Sequence, residues 1–277
     1  MPGRFEGRVA LVTGAARGQG RNHAVRLAEE GADIIALDIA SQVGSVAYPM
    51  ATREDLAETA RLVEATGRRV VAAEADVRDA VVLRDVVDAG VAKLGRLDIV
   101  SANAGIVSVS LFQDLDEEQW GDVIDTNLTG VFHTAKAAVP HLIAGGRGGS
   151  IVVTSSTAGL KGLPTLAHYS ASKHGVVGFT RTLANELAPH FIRANTIHPT
   201  GVDTPMIQNR AIRRWFVPGR EDPTREEAMA PSMSQHALPI PWVDVDDVTN
   251  LLLFLVSDEA RYITGAAIPV DAGMTIR

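Results

Sequence analysis

Short runs of consecutive apolar residues recur along the chain and predict a series of buried strands. Val9–Val12 and Ile34–Leu37 are the first two runs, and neither alternates between polar and apolar positions. Strands without that alternation are typical of a parallel sheet that helices cover on both faces. The predicted strands lie at residues 9–12, 34–37, 70–72, 97–100, 150–154, 192–197 and 267–270.

Between these runs, apolar residues are spaced three and four positions apart, which predicts amphipathic helices. Gly31, Gly67 and Gly95 stand at the ends of three such segments, where glycine favours helix termination. The predicted helices lie at residues 18–31, 52–66, 79–94, 116–143, 168–190 and 245–257. The alternation predicts one α/β domain over residues 1–277, with a doubly wound, Rossmann-like parallel sheet of about seven strands in the order 3-2-1-4-5-6-7 and helices on both faces.

Two stretches interrupt this alternation. Residues 39–51 make a long connection after the second strand, and residues 202–243 hold 6 of the 13 prolines and 3 of the 6 methionines. Loops of this length in a compact domain are usually lids or binding loops. We expect an insertion at 39–51 and a substrate-covering lid at 202–243. A surface excursion or a subunit contact is the alternative for both.

The composition excludes several functional classes. The chain has 277 residues, a net charge of −7 and no cysteine. We therefore expect no nucleic-acid partner, no disulfide, no thiolate catalysis and no metal site with cysteine ligands. No secretory signal and no membrane-spanning run of apolar residues is visible, so a cytoplasmic protein with no membrane contact is expected.

A glycine-rich turn follows the first predicted strand and precedes the first predicted helix. It reads TGAARGQG over residues 13–20, with the spacing G-x-x-x-G-x-G. Glycines let the backbone approach a pyrophosphate, and the start of a helix directs free N–H groups at the phosphates. A glycine cluster alone is weak evidence, but this context is the one that dinucleotide binding requires. The candidate contacts are Gly14, Arg17, Gly18, Gln19 and Gly20.

The second predicted strand ends in Asp38, followed by Ile39. A carboxylate at this position can accept hydrogen bonds from the adenosine ribose and would repel a 2′-phosphate, so NAD is favoured over NADP. Arg17 complicates this preference, because an arginine in the turn could pair with that phosphate. The alternative for Asp38 is a solvated residue at the end of a strand.

Two further strand ends offer cofactor contacts. Asp76 and Val77 follow the third predicted strand, where a side chain could reach the adenine. Asn103, Ala104 and Gly105 follow the fourth, where small residues would let a cofactor lie close to the backbone. Alternatively, the residues of both segments could serve only to form the turns that follow their strands.

Tyr169 and Lys173 are four residues apart on a predicted helix and therefore share one face. A nearby ammonium would lower the pKa of a phenol from about 10, so that Tyr169 could exchange a proton with an alcohol. Such pairs also occur on helix surfaces without any function. Ser156 closes the Thr154-Ser155-Ser156 segment at a strand end, where a hydroxyl can bind a substrate oxygen.

Asn127 lies inside the long helical stretch at 116–143. Asparagine is locally unfavourable there, and it could hold a water molecule or a helix kink. A satisfied polar contact with a neighbouring helix is an equal alternative.

Together these motifs resemble the short-chain dehydrogenase/reductase family over nearly the whole chain. The resemblance implies that Tyr169 is the acid/base, that Lys173 lowers its pKa and holds the ribose, and that Ser156 orients the substrate. The 13-residue step to Tyr169 matches the family for Ser156 rather than Ser155. The resemblance also implies that Asn127 anchors a water-linked proton path to Lys173.

The segment His198–Thr204 resembles the family's segment after the sixth strand. The family usually has Asn-Pro-Gly where this chain has His198-Pro199-Thr200-Gly201. The resemblance implies that the backbone near Val202 holds the nicotinamide amide. The further cofactor contacts that it implies are Thr154, Pro199, Thr200, Gly201 and Thr204.

The insertion at 39–51 resembles the carveol dehydrogenase-like, mycofactocin-associated subgroup of the family. That resemblance implies tightly held NAD, an external redox acceptor if the NAD does not exchange, and a secondary alcohol or ketone as substrate. The family also implies a homotetramer that pairs the helices at 116–143 and 168–190. Apolar side chains favour a cyclic or terpenoid-like substrate. The candidate substrate contacts, besides Ser156, are Val107, Leu163, Met206, Trp215 and Phe216.

The resulting hypothesis is an NAD-dependent alcohol dehydrogenase or ketone reductase. Reduction of a 3-oxoacyl or steroid ketone is the alternative within the family. An S-adenosylmethionine methyltransferase and a non-catalytic dinucleotide sensor are alternatives from other classes. Neither of these needs Ser156, Tyr169 and Lys173 together.

Overall fold

A computed structural model of the chain describes residues 3–277, and seven strands there form one parallel sheet. Their order is β3-β2-β1-β4-β5-β6-β7, which confirms the expected doubly wound topology. The strands are β1 (Val9–Thr13), β2 (Asp33–Asp38), β3 (Val70–Glu74), β4 (Ile99–Ala102), β5 (Gly149–Thr154), β6 (Ile192–Pro199) and β7 (Ala267–Val270).

Helices connect the strands, and several have caps that the sequence encodes. Thr52 and Asp55 form a reciprocal capping box at the start of α2, and Gly95 ends α3 with a φ of +92°. The helices are α1 (Gly18–Glu29), α2 (Arg53–Ala65), α3 (Ala80–Leu94), α4 (Glu117–Ile124), α5 (Gly130–Gly145), α6 (Ala167–Leu187), α7 (Arg210–Phe216), α8 (Arg225–Met233) and α9 (Val245–Val256).

The apolar runs are continuous because alternate residues enter two separate cores. Val12 and Ile34 pack with Leu27 of α1 on one face, which also holds α9. Leu11 and Ile35 pack on the other face against α3, α5 and α6. Within residues 3–277, no helix is both long and apolar enough to cross a membrane.

The long helix expected at 116–143 is interrupted. A π-helical turn at Asp125–Thr129 separates α4 from α5 and contains Asn127. A π-turn inserts an extra residue into the helical repeat and often marks a functional position. Asn127 therefore lies at an interruption of the helix, and its side chain also donates to Ser172 of the neighbouring α6, which was the alternative interpretation.

The fourth strand lies two residues later than predicted. Ile99 pairs with Ala10 in β1 and with Ser150 in β5, so Leu97 and Asp98 precede the strand. The carboxylate of Asp98 instead accepts hydrogen bonds from the N–H of Val9 and from the guanidinium of Arg96. An isolated apolar run could not reveal this register.

The two long stretches differ in structure. Residues 39–51 form no helix or strand, whereas 202–243 contains α7 and α8. Val202 and Val243 pair in a short parallel bridge that closes the base of this lid segment. Both stretches contribute to a third apolar cluster, which contains Val43, Tyr48 and Ile212 and lies above the carboxyl ends of the strands.

Candidate active site

Two adjoining cavities lie at the carboxyl ends of the strands. The first, which we call the glycine cleft, has a volume of about 910 Å³ and is lined by the glycine turn and Asp38. The second, the tyrosine cavity, has a volume of about 980 Å³ and is lined by Ser156, Tyr169 and Lys173. The walls of both include Gln19, Asn103, Gly105, Ile106, Thr204 and Met206.

Except for Asn127, all the candidate residues line one of these cavities. The glycine cleft contains Gly14, Arg17, Gly18, Gln19, Gly20, Asp38, Ile39, Asp76, Val77, Asn103, Ala104, Gly105 and Thr204. The tyrosine cavity contains Val107, Thr154, Ser156, Leu163, Tyr169, Lys173, Pro199, Thr200, Gly201, Val202, Met206, Trp215 and Phe216.

The glycine turn needs glycine for steric reasons. Gly14 has a φ of +66°, and a Cβ there would lie 2.8 Å from the Cα of Ala104. A Cβ on Gly20 would lie 1.9 Å from the carbonyl oxygen of Gly14. The first turn of α1 receives no side-chain cap from Arg17. Its N–H groups and the bare backbone form a cradle that fits a phosphate.

Asp38 is buried beside this turn. One carboxylate oxygen accepts the N–H of Ala16 and the other accepts the N–H of Ala40, each at 3.0 Å. Because each oxygen retains a lone pair, the carboxylate can accept ribose hydroxyls as well. Arg17 lines the same cleft and has no carboxylate within 4.0 Å among residues 3–277.

Asp76 and Asn103 line the glycine cleft, and the side chains of both also make hydrogen bonds within the protein. The carboxylate of Asp76 accepts two hydrogen bonds from the Arg78 guanidinium, which also donates to Asp122 at 2.7 Å. Asn103 donates from its side chain to the carbonyl of Thr13 at 3.1 Å. Asp76 therefore lines the cleft with its charge paired, and Asn103 braces the glycine turn.

Tyr169, Lys173 and Ser156 come together from α6 and the end of β5. The Nζ of Lys173 donates to the carbonyl of Thr154 at 2.8 Å and lies 5.6 Å from the centre of the Tyr169 ring. The Oγ of Ser156 accepts the N–H of Ala158 at 3.2 Å. The hydroxyl of Ser155, by contrast, donates to the carbonyl of Lys173 at 2.9 Å. This geometry favours Ser156 as the serine that faces a substrate.

The electrostatics differ from the sequence expectation. Burial raises the pKa of the Tyr169 phenol, while a hydrogen bond with Ser156 opposes that shift. Burial also lowers the pKa of Lys173 to about 8. In the protein by itself, desolvation therefore outweighs any lowering of the tyrosine pKa by Lys173, because both groups are removed from water.

Asn127 is fully buried in the π-turn and lines neither cavity. Its side chain donates to the carbonyl of Ile106 at 2.9 Å and accepts the N–H of the same residue at 2.8 Å. It also donates to the hydroxyl of Ser172 at 3.3 Å. These bonds hold the loop after β4, which forms the wall between the two cavities.

The segment after β6 departs from the expected pattern without losing its polar contacts. The Nδ1 atom of His198 lies 2.7 Å from the carbonyl oxygen of Ser156. The Oγ1 atom of Thr200 lies 2.7 Å from the Nε2 atom of His236. At the base of the lid, the N–H of Val243 donates to the carbonyl of Gly201, and the carbonyl of Val243 accepts the N–H of Asp203. The N–H of Val202 therefore has no hydrogen-bond partner among residues 3–277.

Residues of the insertion also line the glycine cleft, which sequence reasoning missed. Val43, Tyr48, Met50 and Ala51 form one of its walls. The hydroxyl of Tyr48 accepts the N–H of Val107 at 3.3 Å, and burial raises its pKa to about 12. The apolar side chains in the insertion were the available signal, because a solvated loop would not need them.

The lid segment supplies much of the apolar surface of the tyrosine cavity. The rings of Trp215 and Phe216 lie 4.8 Å apart, and Ile212 and Gln235 line the same space. Thr126 of the π-turn and Met274 near the chain end were also missed. No group of three or more His, Asp or Glu side chains within residues 3–277 is placed to hold a metal ion.

Comparison with known proteins gives consistent matches. The family model described as short chain dehydrogenase matches residues 8–214. The chain is 60% identical to (-)-trans-carveol dehydrogenase from Rhodococcus erythropolis, over 99% of both sequences.

Solved structures agree with this similarity. The crystal structure of carveol dehydrogenase from Mycobacterium avium in complex with NAD is 53% identical, with a TM-score of 0.98 over 99% of this chain and 100% of that one. A short chain dehydrogenase from Mycobacterium paratuberculosis bound to NAD is 47% identical, with a TM-score of 0.91 over the same shares.

Proposed function

The chain belongs to the short-chain dehydrogenase family, and we propose that it is an NAD-dependent oxidoreductase that interconverts a cyclic secondary alcohol of the carveol type with its ketone. One observation carries this proposal: Ser156, Tyr169 and Lys173 line an apolar cavity that shares a wall with the glycine cleft. A substrate in the tyrosine cavity is therefore next to a dinucleotide in the cleft.

The residues of the cleft fit NAD. The glycine turn and the start of α1 would hold the pyrophosphate, Asp38 the adenosine ribose, and Lys173 the second ribose. The free N–H of Val202 suits the carboxamide of the nicotinamide ring. When bound, NAD accepts a hydride from the alcohol carbon or supplies one to the ketone carbon.

Tyr169 and Ser156 handle the oxygen of the substrate. The Oγ of Ser156 accepts the N–H of Ala158, and its proton, which bonds Tyr169 in the protein alone, can be donated to the substrate oxygen instead. Tyr169 takes the alcohol proton during oxidation and returns it during reduction. Burial opposes phenolate formation, so a protonated Lys173 is needed beside the ring to supply positive charge.

The substrate class rests on the relatives and on the cavity lining. A named carveol dehydrogenase is 60% identical, and the cavity walls include Leu163, Met206, Trp215 and Phe216. Apolar and aromatic walls suit a terpenoid-like ring. A 3-oxoacyl or steroid ketone remains the alternative within the family, and the family assignment favours dehydrogenase chemistry over a methyltransferase.

Replacement of Tyr169 by phenylalanine tests the mechanism. We expect Tyr169→Phe to lower kcat by about a thousandfold or more on carveol and related cyclic alcohols, because the proton acceptor is lost. The NAD content, measured by mass spectrometry, should be unchanged. Tyr262→Phe is the control, since that side chain is 88% exposed and lines neither cavity. Full activity of Tyr169→Phe would contradict the mechanism, and a wild-type protein that binds NAD but oxidises no alcohol would favour the sensor.

The proposal includes NAD that does not exchange freely and a separate redox acceptor, as in mycofactocin-associated enzymes. The insertion supports this, because Tyr48 and its neighbours wall the cleft and Ser45 donates to Asp122 at 2.7 Å. The purified protein should retain nicotinamide through desalting, and added carveol should reduce it without release. Rapid, reversible uptake of added NAD by cofactor-free protein would contradict this part of the proposal.

A further inference from the structure

A third cavity lies at the opposite edge of the sheet from the active site. It has a volume of about 750 Å³ and is formed where strands begin. Arg8 precedes β1, Asp98 precedes β4 and Phe191 precedes β6, and all three residues line the cavity. The glycine cleft and tyrosine cavity lie at the carboxyl ends of the strands, so this cavity, which we call the arginine pocket, is a separate site.

The arginine pocket is strongly positive in an acidic protein. Five arginines and two aspartates line it, which gives its side chains a net charge of +3, whereas the whole chain carries −7. Two of the arginines are neutralised, since Arg96 pairs with Asp98 at 2.6 Å and Arg8 pairs with Asp258 at 2.9 Å.

The remaining three arginines lack a carboxylate of their own. Arg147 approaches only Asp98, at 3.6 Å, which Arg96 already occupies. Arg193 is partly buried and donates to the backbone carbonyls of Leu255 and Ser257. Arg261 stacks on the ring of Tyr262, 5.1 Å from its centre, and has no carboxylate within 4.0 Å in the described chain. The pocket therefore has uncompensated positive charge to offer an anion.

Phe191 gives an independent indication of a ligand. Its backbone has a φ of +55°, a left-handed conformation that is unusual for a bulky residue, and its side chain is 85% exposed at the pocket wall. The facing Gly148 is needed for close approach, because a Cβ there would lie 2.8 Å from the carbonyl oxygen of Phe191. The left-handed conformation ends the turn after α6, where the N–H of Phe191 donates to the carbonyl of Ala188, and it leaves the ring exposed beside the arginines.

We propose that the arginine pocket binds a small anion that joins phosphate groups to an aromatic ring, as a nucleoside triphosphate does. Guanidinium groups bind phosphate oxygens through paired hydrogen bonds, and Phe191 offers a face on which a base can stack. An acidic peptide would use the charge but would not need the exposed ring.

Calorimetric titration of the NAD-saturated protein tests this proposal, because saturation keeps nucleotides out of the glycine cleft. We expect ATP to bind saturably and more tightly than tripolyphosphate, and to lose affinity as salt increases. The double variant Arg147→Gln/Arg261→Gln should weaken ATP binding by about tenfold or more. Phe191→Gly should weaken it by about fivefold, and glycine suits the backbone conformation at that position.

The control variant is Arg61→Gln, which removes an exposed arginine of α2 that pairs with Glu58 in its own helix. It should bind ATP like the wild-type protein, and all variants should keep their dehydrogenase activity. The proposal is overturned if ATP shows no saturable binding below millimolar concentration or if the variants bind it unchanged. Equal affinity for tripolyphosphate and ATP, or tighter binding of an acidic peptide, would also overturn it.

Discussion

Lys173 is a buried cation, and its free-energy cost can be measured. Burial lowers its pKa to about 8 from the ordinary value of 10.5. Between these two values the unfolded chain binds more protons than the folded protein, so stability rises with pH in this range. Below pH 8 the lysine is charged in both states, and this contribution to stability is absent. We expect Lys173 to add about 3 kcal/mol to the free energy of unfolding between pH 8 and 10.5.

Urea denaturation at several pH values measures this contribution. Lys173→Met should be more stable than the wild type near pH 7, and the difference should shrink as the pH approaches 10.5. The variant should also lose dehydrogenase activity. Lys93→Met, which alters an exposed lysine at the end of α3, should show the wild-type pH dependence. Parallel pH profiles for wild type and Lys173→Met would refute the buried-cation account.

Asp38 should decide which dinucleotide the protein selects. Its carboxylate is fixed by two N–H groups, so a 2′-phosphate would meet a negative charge that cannot move away. We expect Asp38→Ser to lower the preference for NAD over NADP by about thirtyfold or more, because about 2 kcal/mol or more of repulsion disappears. The ratio is measured by competitive reconstitution and mass spectrometry.

Glu74→Gln is the matched control for Asp38→Ser. Glu74 is exposed at the end of β3, pairs with Arg53 and does not line the glycine cleft. An unchanged NAD preference in Asp38→Ser would mean that Arg17 or the backbone, rather than the carboxylate, sets the selectivity.

The π-turn between α4 and α5 joins two elements through one side chain. Asn127 satisfies both backbone groups of Ile106 in a buried setting. Asn127→Ala would leave a buried N–H and a buried C=O without partners, at about 1–3 kcal/mol each. We therefore expect a loss of about 2–6 kcal/mol in the free energy of unfolding. Ser172→Ala removes the third, longer bond and the bond that Ser172 donates to the carbonyl of Tyr169 at 2.8 Å, but it leaves both backbone groups of Ile106 paired, so it should cost only about 1 kcal/mol. Similar losses in the two variants would argue against this role.

Regular elements were predictable from the sequence, whereas irregular ones were not. The strands could be found because Leu11 and Val12 enter opposite cores and leave a continuous apolar run. The path of the insertion depends on contacts far away in sequence, such as the bond between Tyr48 and Val107. No local periodicity reports such contacts.

The candidate site shows the same division. Helical spacing, the strand end at Thr154–Ser156 and the family resemblance, which selected Ser156 over Ser155, together predicted that Ser156, Tyr169 and Lys173 share one site, and the three line one cavity. The direction of the tyrosine pKa shift depends on how much water the fold removes, which spacing does not reveal. The sequence places Arg78 only two residues from Asp76, but it does not reveal whether Asp76 pairs with this arginine, as in the structure, or contacts a cofactor.

At the scale of the whole molecule, the sheet separates two kinds of surface. Its carboxyl edge carries the glycine cleft and tyrosine cavity, and its amino edge carries the arginine pocket. A third surface lies on the flank formed by α5 and α6. Phe132 of α5 is 42% exposed there and meets Phe179 of α6 edge to face, with ring centres 6.2 Å apart.

This flank supports the expected pairing of the long helices in a homotetramer. A charged side chain at the centre of this flank would lose its water on assembly and find no opposite charge, so it would disfavour association of the subunits. If the protein is a homotetramer that pairs through this flank, Phe132→Glu should convert it into smaller species with an intact fold, measured by light scattering after gel filtration and by circular dichroism. Phe191→Glu is the matched control, because that ring is more exposed but lies at the amino edge of the sheet. If Phe132→Glu stays tetrameric while Phe191→Glu dissociates, the subunits meet at the amino edge and the arginine pocket is an interface.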